Sequence, residues 1–493
     1  MEKYIMSIDQ GTTSTRAIIF DKHANCVGIA QKELINMYPN PGWVEQDARE
    51  IWASVVGVMF EVLAKTGIKP KQIASIGITN QRETTVVFDK RTGQPVYHAI
   101  VWQSRQSDSY CQTLKQQGKE SWINKKTGLL LDPYFSASKI RFILDATNLQ
   151  KEADNGNLLF GTIDTWLVYK LTNHQKHITD VSNASRTLLM NLETLDYDEE
   201  LLKLWNIPHC MLPTIEDTSY IHGYCIDLFD HNIPITSIAG DQQAALFGQT
   251  CFKAGDIKNT YGTGCFLLMN TKKQIIHSKH GLITSVGWKI GNDVSYVLEG
   301  SVFIAGAAVQ WLRDGLKILD TAGKSEQRAT SITDNEGVYV VPSFTGLGAP
   351  YWKPHVKGAM YGLTRNTKQE HIIRATLESL AFQTADVITA MKEDSHLDLQ
   401  TLKVDGGASK NTFLLQFQSD ILNIPVSQSS ISETTALGAA YLAGLAIGFW
   451  KDLEELKQLS KNTTTYLPSM DEGIRIKKLN TWKKAIEATI AFE

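Results

Sequence analysis

The sequence predicts an α/β protein of two similar lobes with a cleft between them. Three observations predict it. A glycine-threonine turn, Asp9-Gln10-Gly11-Thr12-Thr13-Ser14-Thr15-Arg16, closes the apolar run at residues 4–8 and leads into Ala17-Ile18-Ile19-Phe20. A similar turn, Thr260-Tyr261-Gly262-Thr263-Gly264, lies in the other half, entered from Ile257 and left through Cys265-Phe266-Leu267-Leu268. At 493 residues, finally, the chain is too long for one compact core. Such turns point backbone N–H groups and hydroxyls inward, a concave donor surface suited to phosphate oxygens. One would be an ordinary hairpin. Two at equivalent places point to a duplicated fold gripping one polyphosphate from both sides.

The elements follow in order. The first ninety residues read strand, turn, strand, strand, helix, strand. The helix is expected over 48–65, with Ile51, Val55, Val58, Met59, Val62 and Leu63 on one stripe. Asp47 followed by Glu50 resembles a capping box, and Gly67 stands where a C-terminal cap belongs. Residues 73–79 are almost continuously apolar, as a buried strand requires. The second half repeats the order: strands within 257–270, 281–288 and 295–298, then a helix from about Phe303. A long amphipathic helix follows over 371–391, with Ile373, Leu377, Leu380, Ala381, Val387 and Met391 inward. Strand 402–404 then ends in Asp405-Gly406-Gly407. The boundary between halves is expected near 248–255, giving lobes of 1–250 and 251–493. Residues 436–450 carry no charge, but this run of 15 falls short of the ~20 that span a bilayer and reads as a buried helix.

Composition removes several classes of function. A hydrophobic fraction of 43% with 20% charged residues is that of a globular protein. A net charge of −3 offers no electrostatic argument for nucleic acid or for an anionic membrane, and no stable membrane insertion is expected. The six cysteines form no C-x-x-C pair, which reads as a reduced, cytoplasmic protein. Met1-Glu2-Lys3 runs directly into a strand, leaving no room for a signal peptide. Cys265 adjoins the second turn, where alkylation is expected to block a site without the thiol taking part in chemistry.

A Walker A loop is absent: the nearest approach, Gly315 to Gly323-Lys324-Ser325, has seven residues between its glycines where four are required. The chemistry must sit at strand ends instead. Asp9 is either an Asx-turn carboxylate or a partner of Mg²⁺, acting through water because that ion keeps its hydration. Arg82-Glu83 follows strand 73–79 and is either a surface ion pair or a clamp for adjacent hydroxyls. Trp102 and Tyr134 are either core or an apolar wall with a polar tip. Asp241 follows strand 235–239 and Gly240; it is either a helix N-cap or a carboxylate aimed as a base. Asp405-Gly406-Gly407-Ala408-Ser409-Lys410-Asn411 is either a routine strand-to-helix loop or the third side of a nucleotide site, with Asn411 a polar contact.

At this point the chain resembles the FGGY carbohydrate kinases, within the superfamily of hexokinase, actin and the heat-shock chaperone ATPases. The likeness runs nearly end to end. It is carried by Asp9-Gln10-Gly11-Thr12-Thr13, Pro41-Gly42-Trp43-Val44-Glu45, Gly77-Ile78-Thr79-Asn80-Gln81-Arg82-Glu83-Thr84 and Phe160-Gly161-Thr162. It continues through Ala239-Gly240-Asp241-Gln242-Gln243-Ala244-Ala245-Leu246-Phe247-Gly248, Asn259-Thr260-Tyr261-Gly262-Thr263-Gly264 and Ser343-Phe344-Thr345-Gly346-Leu347-Gly348-Ala349-Pro350-Tyr351-Trp352. The runs around Arg82 and Asp241 are those of the members that phosphorylate glycerol.

The resemblance implies two duplicated actin-like (ribonuclease H-like) lobes that close over glycerol and ATP with Mg²⁺, giving sn-glycerol 3-phosphate. On matching positions it implies that Arg82, Glu83, Tyr134, Asp241 and Gln242 hold glycerol. Asp241 would be the base, and Trp102 and Phe266 the apolar wall. Thr12, Thr13, Ser14 and Arg16 would face the transferred phosphate, and Thr263, Gly306, Gln310, Gly407 and Asn411 the nucleotide. The expected assembly is a homodimer or homotetramer. There are departures. Phe142 stands where the family signature usually has tryptophan, and residues 223–234 lack the glycine- and arginine-containing loop of an allosteric sugar-bisphosphate site. Asp227 occupies the place of a phosphorylatable histidine, with His231 four positions away, so neither control mode is expected. Two other readings are a kinase for a different polyol or ketose, and an actin- or chaperone-like ATPase switch.

Overall fold

The computed structural model describes residues 2–460 and 463–492. The first apolar runs form an antiparallel meander, β1 (Tyr4–Gln10), β2 (Ser14–Phe20) and β3 (Cys26–Glu33). The β1–β2 turn closes with the Gly11 amide donating to the Ser14 carbonyl at 2.9 Å. Helix α1 (Ala48–Thr66) follows and buries the stripe Ile51, Val55, Val58, Met59, Val62 and Leu63 against this meander. Asp47 accepts from the Arg49 amide at 2.8 Å and Glu50 makes no return bond, so a single cap replaces the expected reciprocal box. Gly67 adopts φ +70° and donates its amide to Leu63, where a side chain would be strained.

β4 (Ile73–Asn80) then pairs parallel to β1. After a long excursion come β5 (Ser219–Cys225) and β6 (Ile233–Gly240), the latter parallel to β4. The sheet order is β5-β6-β4-β1-β2-β3. The excursion carries the helices Asp108–Gln116, Glu120–Thr127, Ser136–Thr147 and Ile163–Leu171. It has a core of its own, which includes Ile100, Phe135, Ile140, Leu144 and Trp205.

Helix α2 (Asp241–Gly248) leaves β6 without a loop. The second lobe is built from β7 (Ile257–Tyr261), β8 (Cys265–Lys272), β9 (Ile283–Ile290), β10 (Asp293–Val302), α3 (Gly306–Asp314), α4 (Gln369–Ser395), β11 (Leu402–Gly406), α5 (Thr412–Leu422), β12 (Val426–Ser429), α6 (Thr434–Ala446) and β13 (Thr463–Tyr466). Its sheet order is β9-β10-β8-β7-β11-β12-β13. Within the two sheets, β3-β2-β1-β4-β6 and β10-β8-β7-β11-β12 have one topology: a meander joined to two strands parallel to its first. These are the duplicated actin-like lobes. β10 extends beyond the short strand expected because Ser301 and Val302 still pair with Phe266 and Cys265, which delays α3 to Gly306.

The apolar run near the C-terminus forms α6, buried from Ala436 to Gly444. It packs on α2 and on β1, β4 and β6, so a helix from the second half covers the first sheet. Among the described residues no helix is long and apolar enough to cross a membrane. The α2–α6 crossing is backbone against backbone: a Cβ added to Gly438 would collide with the Ala244 carbonyl, and one added to Gly248 with the Thr434 carbonyl. Gly438→Ala is therefore expected to destabilise the protein by about 1–3 kcal/mol, read as a lower midpoint of the first unfolding transition in urea. Gly57→Ala on α1, where an added Cβ meets nothing within 4 Å, is the control and is expected to raise that midpoint. Its effect should be roughly 0.5–1 kcal/mol.

Candidate active site

The strand register assembles the site. Gln10 of β1 and Gly240 of β6 both pair with Asn80 of β4, so the first turn, Gln81-Arg82-Glu83 and Asp241 emerge side by side from three adjacent parallel strands. This is the edge at which an open α/β sheet binds ligands. In the second sheet Tyr261 pairs with Gly406, which brings the second turn beside the loop 405–411.

Arg82 is 2% exposed, so a surface ion pair with Glu83 is not what the fold builds. Its guanidinium makes a two-pronged pair with Glu299 of β10, at 2.6 and 2.9 Å. Its Nε lies 3.2 Å from Asp241 and 3.6 Å from Glu83, and Nη2 donates to the Tyr134 hydroxyl at 3.2 Å. Glu83 is held chiefly by Arg186, whose Nε donates to it at 2.7 Å and whose Nη2 reaches Glu299 at 3.3 Å. Two arginines and two glutamates thus form a neutral, fully enclosed quartet. Burial alone would push Glu299 up, but Arg186 and Arg82 outweigh it and hold the carboxyl at about 2. Glu299 and Arg186 escaped the sequence reading. For Glu299 a signal existed, since it is the only charge in the strand run Ser295-Tyr296-Val297-Leu298-Glu299-Gly300.

Asp241 is the first residue of α2, with Gly240 in the cap position, and its Oδ1 accepts from the Gln242 amide at 2.7 Å. Its side chain is 30% exposed at the cleft. Burial raises its pKa, against the pull of Arg82 and Lys258. The Gln242 side-chain oxygen accepts from Lys258, another residue not anticipated from sequence. Trp102 packs edge-on against Tyr134 and Phe266, with centroids 5.5 and 6.3 Å apart, so these three rings form one aromatic wall. The Trp102 Nε1 donates to the Thr12 hydroxyl at 2.8 Å and ties that wall to the first turn.

Thr12, Ser14 and Arg16 are half-buried and Thr13 is exposed. Arg16 does not stand free over the turn: it pairs with Glu433, just before α6, at 2.6 Å and donates to Gln31 at 3.1 Å. The Asp9 carboxylate accepts no hydrogen bond among the described residues. Burial pushes it up to about 7, with Arg16 pulling the other way and Asp241 and Glu433 adding to the rise. A half-buried carboxylate with no hydrogen-bond partner among the described residues, beside the first turn, has the chemistry to hold Mg²⁺ through water.

The second turn is locked to α3. Ala305 and Ala307 donate to the Thr263 carbonyl at 2.8 and 3.1 Å, and Gly306 donates to the Gly262 carbonyl at 3.0 Å. Gln310 lies one turn further along α3 and is exposed. Gly406 has φ +88°, Gly407 is exposed, and Asn411 caps α5 by accepting from the Leu414 amide at 2.9 Å. Asp405 accepts from Gln249 and Thr434, joining this loop to the end of α2 and the start of α6. Cys265 is fully buried and its thiol is pushed up to about 12, so it is no alkylation handle, contrary to the sequence reading. Phe142, in the place of the signature tryptophan, packs edge-on against Trp43 at 5.3 Å.

Comparison with known proteins agrees with this architecture. The profile of the N-terminal domain of the FGGY family of carbohydrate kinases matches residues 4–248, and that of the C-terminal domain matches residues 257–447. A glycerol kinase from Bacillus licheniformis is 57% identical over 100% of both chains. The crystal structure of Plasmodium falciparum glycerol kinase with ADP superposes with a TM-score of 0.94 at 37% identity, covering 99% of this chain and 98% of that one. A ligand-bound xylulose kinase from Lactobacillus acidophilus has the same fold, with a TM-score of 0.87 at 23% identity over 99% and 97% of the two chains. The chain belongs to the FGGY family of carbohydrate kinases.

Proposed function

We propose that this kinase transfers the γ-phosphoryl group of ATP to a terminal hydroxyl of glycerol, giving sn-glycerol 3-phosphate and ADP. The observation that carries the reading is the Arg82 guanidinium, clamped by Glu299 while its Nε lies 3.2 Å from Asp241. A donor held this rigidly beside an acceptor, facing an aromatic wall, suits a short polyol with polar oxygens on one side and C–H bonds on the other. The relatives named glycerol kinase support the choice of acceptor.

In this mechanism Arg82, Glu83, Tyr134 and Gln242 hold the hydroxyls, and Trp102 and Phe266 cover the carbon chain. Asp241 accepts the proton of the attacking hydroxyl. Phosphoryl transfer has a loose transition state, so a weak base is enough and positioning does most of the catalysis. Thr12, Thr13, Ser14 and Arg16 face the phosphoryl group as it passes to the glycerol hydroxyl. Thr263, Gly306, Gln310, Gly407 and Asn411 line the nucleotide. Mg²⁺, when bound through water at Asp9, would neutralise phosphate charge. Closure of the lobes would exclude water and suppress ATP hydrolysis.

A coupled ADP-release assay with a panel of sugars and polyols should show turnover with glycerol and little with pentuloses or gluconate. Comparable kcat/KM for a pentulose would move the assignment to another acceptor, and rapid ADP release without any polyol would favour an ATPase switch. Asp241→Asn keeps the shape and removes the base. It should lower kcat by about two to four orders of magnitude with an unchanged unfolding midpoint. Near-normal turnover would remove Asp241 from the mechanism. Arg82→Ala removes a donor to the acceptor and half the counter-charge of buried Glu299, so it should raise the KM for glycerol about 10- to 100-fold and also lower the unfolding midpoint. An unchanged KM would sink the clamp.

A further inference from the structure

Lys258 lies on β7 and is 0% exposed, yet among the described residues no carboxylate comes within ion-pair distance of its ammonium. Burial lowers its pKa to about 8. A cation enclosed without a direct counter-charge weakens a fold, and an apolar side chain would fill this space at less cost. Its hydrogen bonds are specific. The three N–H donors go to the Gln242 Oε1, to the Thr260 hydroxyl at 2.9 Å and to the Phe266 carbonyl at 3.2 Å. Gln242 opens α2 beside Asp241, Phe266 belongs to the aromatic wall, and Thr260 begins the second turn.

The chemistry of that set is directional. An ammonium only donates, whereas a glutamine amide has one accepting and one donating end. Facing Lys258, the amide must present its oxygen to the lysine and turn its NH₂ away. That NH₂ makes no hydrogen bond among the described residues and is not sealed in the interior.

We propose that Lys258 is a positioning residue that fixes the Gln242 amide as a hydrogen-bond donor to an acceptor-substrate hydroxyl oxygen. Resting on the glycerol reading above, this gives the reacting end of the pocket a defined polarity. Gln242 donates to a hydroxyl oxygen while Asp241 takes up a hydroxyl proton, and the two ends of the amide cannot exchange.

A double-mutant cycle tests the proposal. Wild type, Lys258→Met, Gln242→Leu and the double variant are compared by kcat/KM for glycerol, KM for ATP and unfolding midpoint. Lys258→Met should raise the KM for glycerol about tenfold while leaving the KM for ATP within about twofold. In the Gln242→Leu background the same change should alter kcat/KM for glycerol by less than about twofold, because the lysine acts through the amide. Additive losses, an equal rise in the KM for ATP or an unchanged KM for glycerol would overturn the role. Should the methionine variant fail to fold, a Lys258→Gln cycle answers the same question, since a neutral amide cannot dictate which end of Gln242 faces it. Wild-type turnover is measured first. Absence of glycerol turnover overturns the proposed function, whereas turnover with additive losses overturns only the role of Lys258.

Discussion

The site depends on the enclosed pairing of Arg82 with Glu299. The arginine comes from the end of a strand in the first sheet and the glutamate from the middle of a strand in the second. Neither charge could remain buried alone, since an isolated ion in a protein interior is penalised by several kcal/mol. Arg186 and Glu83 complete the set, so four charges cancel within hydrogen-bond distance. The pocket floor is therefore common to both lobes.

A second constraint is the crossing of α2 and α6. Each helix begins at the end of its own sheet's parallel strands and crosses to the other lobe, and the glycines at the crossing let the backbones meet directly. Asp241 stands at the start of α2 and Glu433 just before α6, the latter paired to Arg16 in the first turn. Asp405 reaches across to Gln249 and Thr434. The loop at 405–411, Asp241 and the first glycine-threonine turn are therefore joined through one short stretch of helix packing.

Lys258 adds polarity to that arrangement. Glu299 holds the Arg82 guanidinium, and Lys258 donates to the Gln242 side-chain oxygen. In both, a charge from the second lobe meets a side chain of the first: Glu299 on Arg82 and Lys258 on Gln242.

The repeated strand order, the two turns, the helix with its Asp47 and Gly67 ends, and the strand-end positions of Arg82 and Asp241 were legible in the sequence. Hydrophobic period, glycine placement and capping are local properties, and a duplicated motif shows itself twice. The partners of Arg82 were not legible, because Glu299 and Arg186 lie 217 and 104 residues away and only strand packing brings them together. Nor was the helical insertion with its separate core, or the pairing of Arg16 with Glu433. The sequence by itself determined the fold class and the family, because those follow from local pattern and motif. Only the tertiary structure decided which charges neutralise one another and which way Gln242 faces, because burial and hydrogen-bond direction exist only once the two lobes are packed.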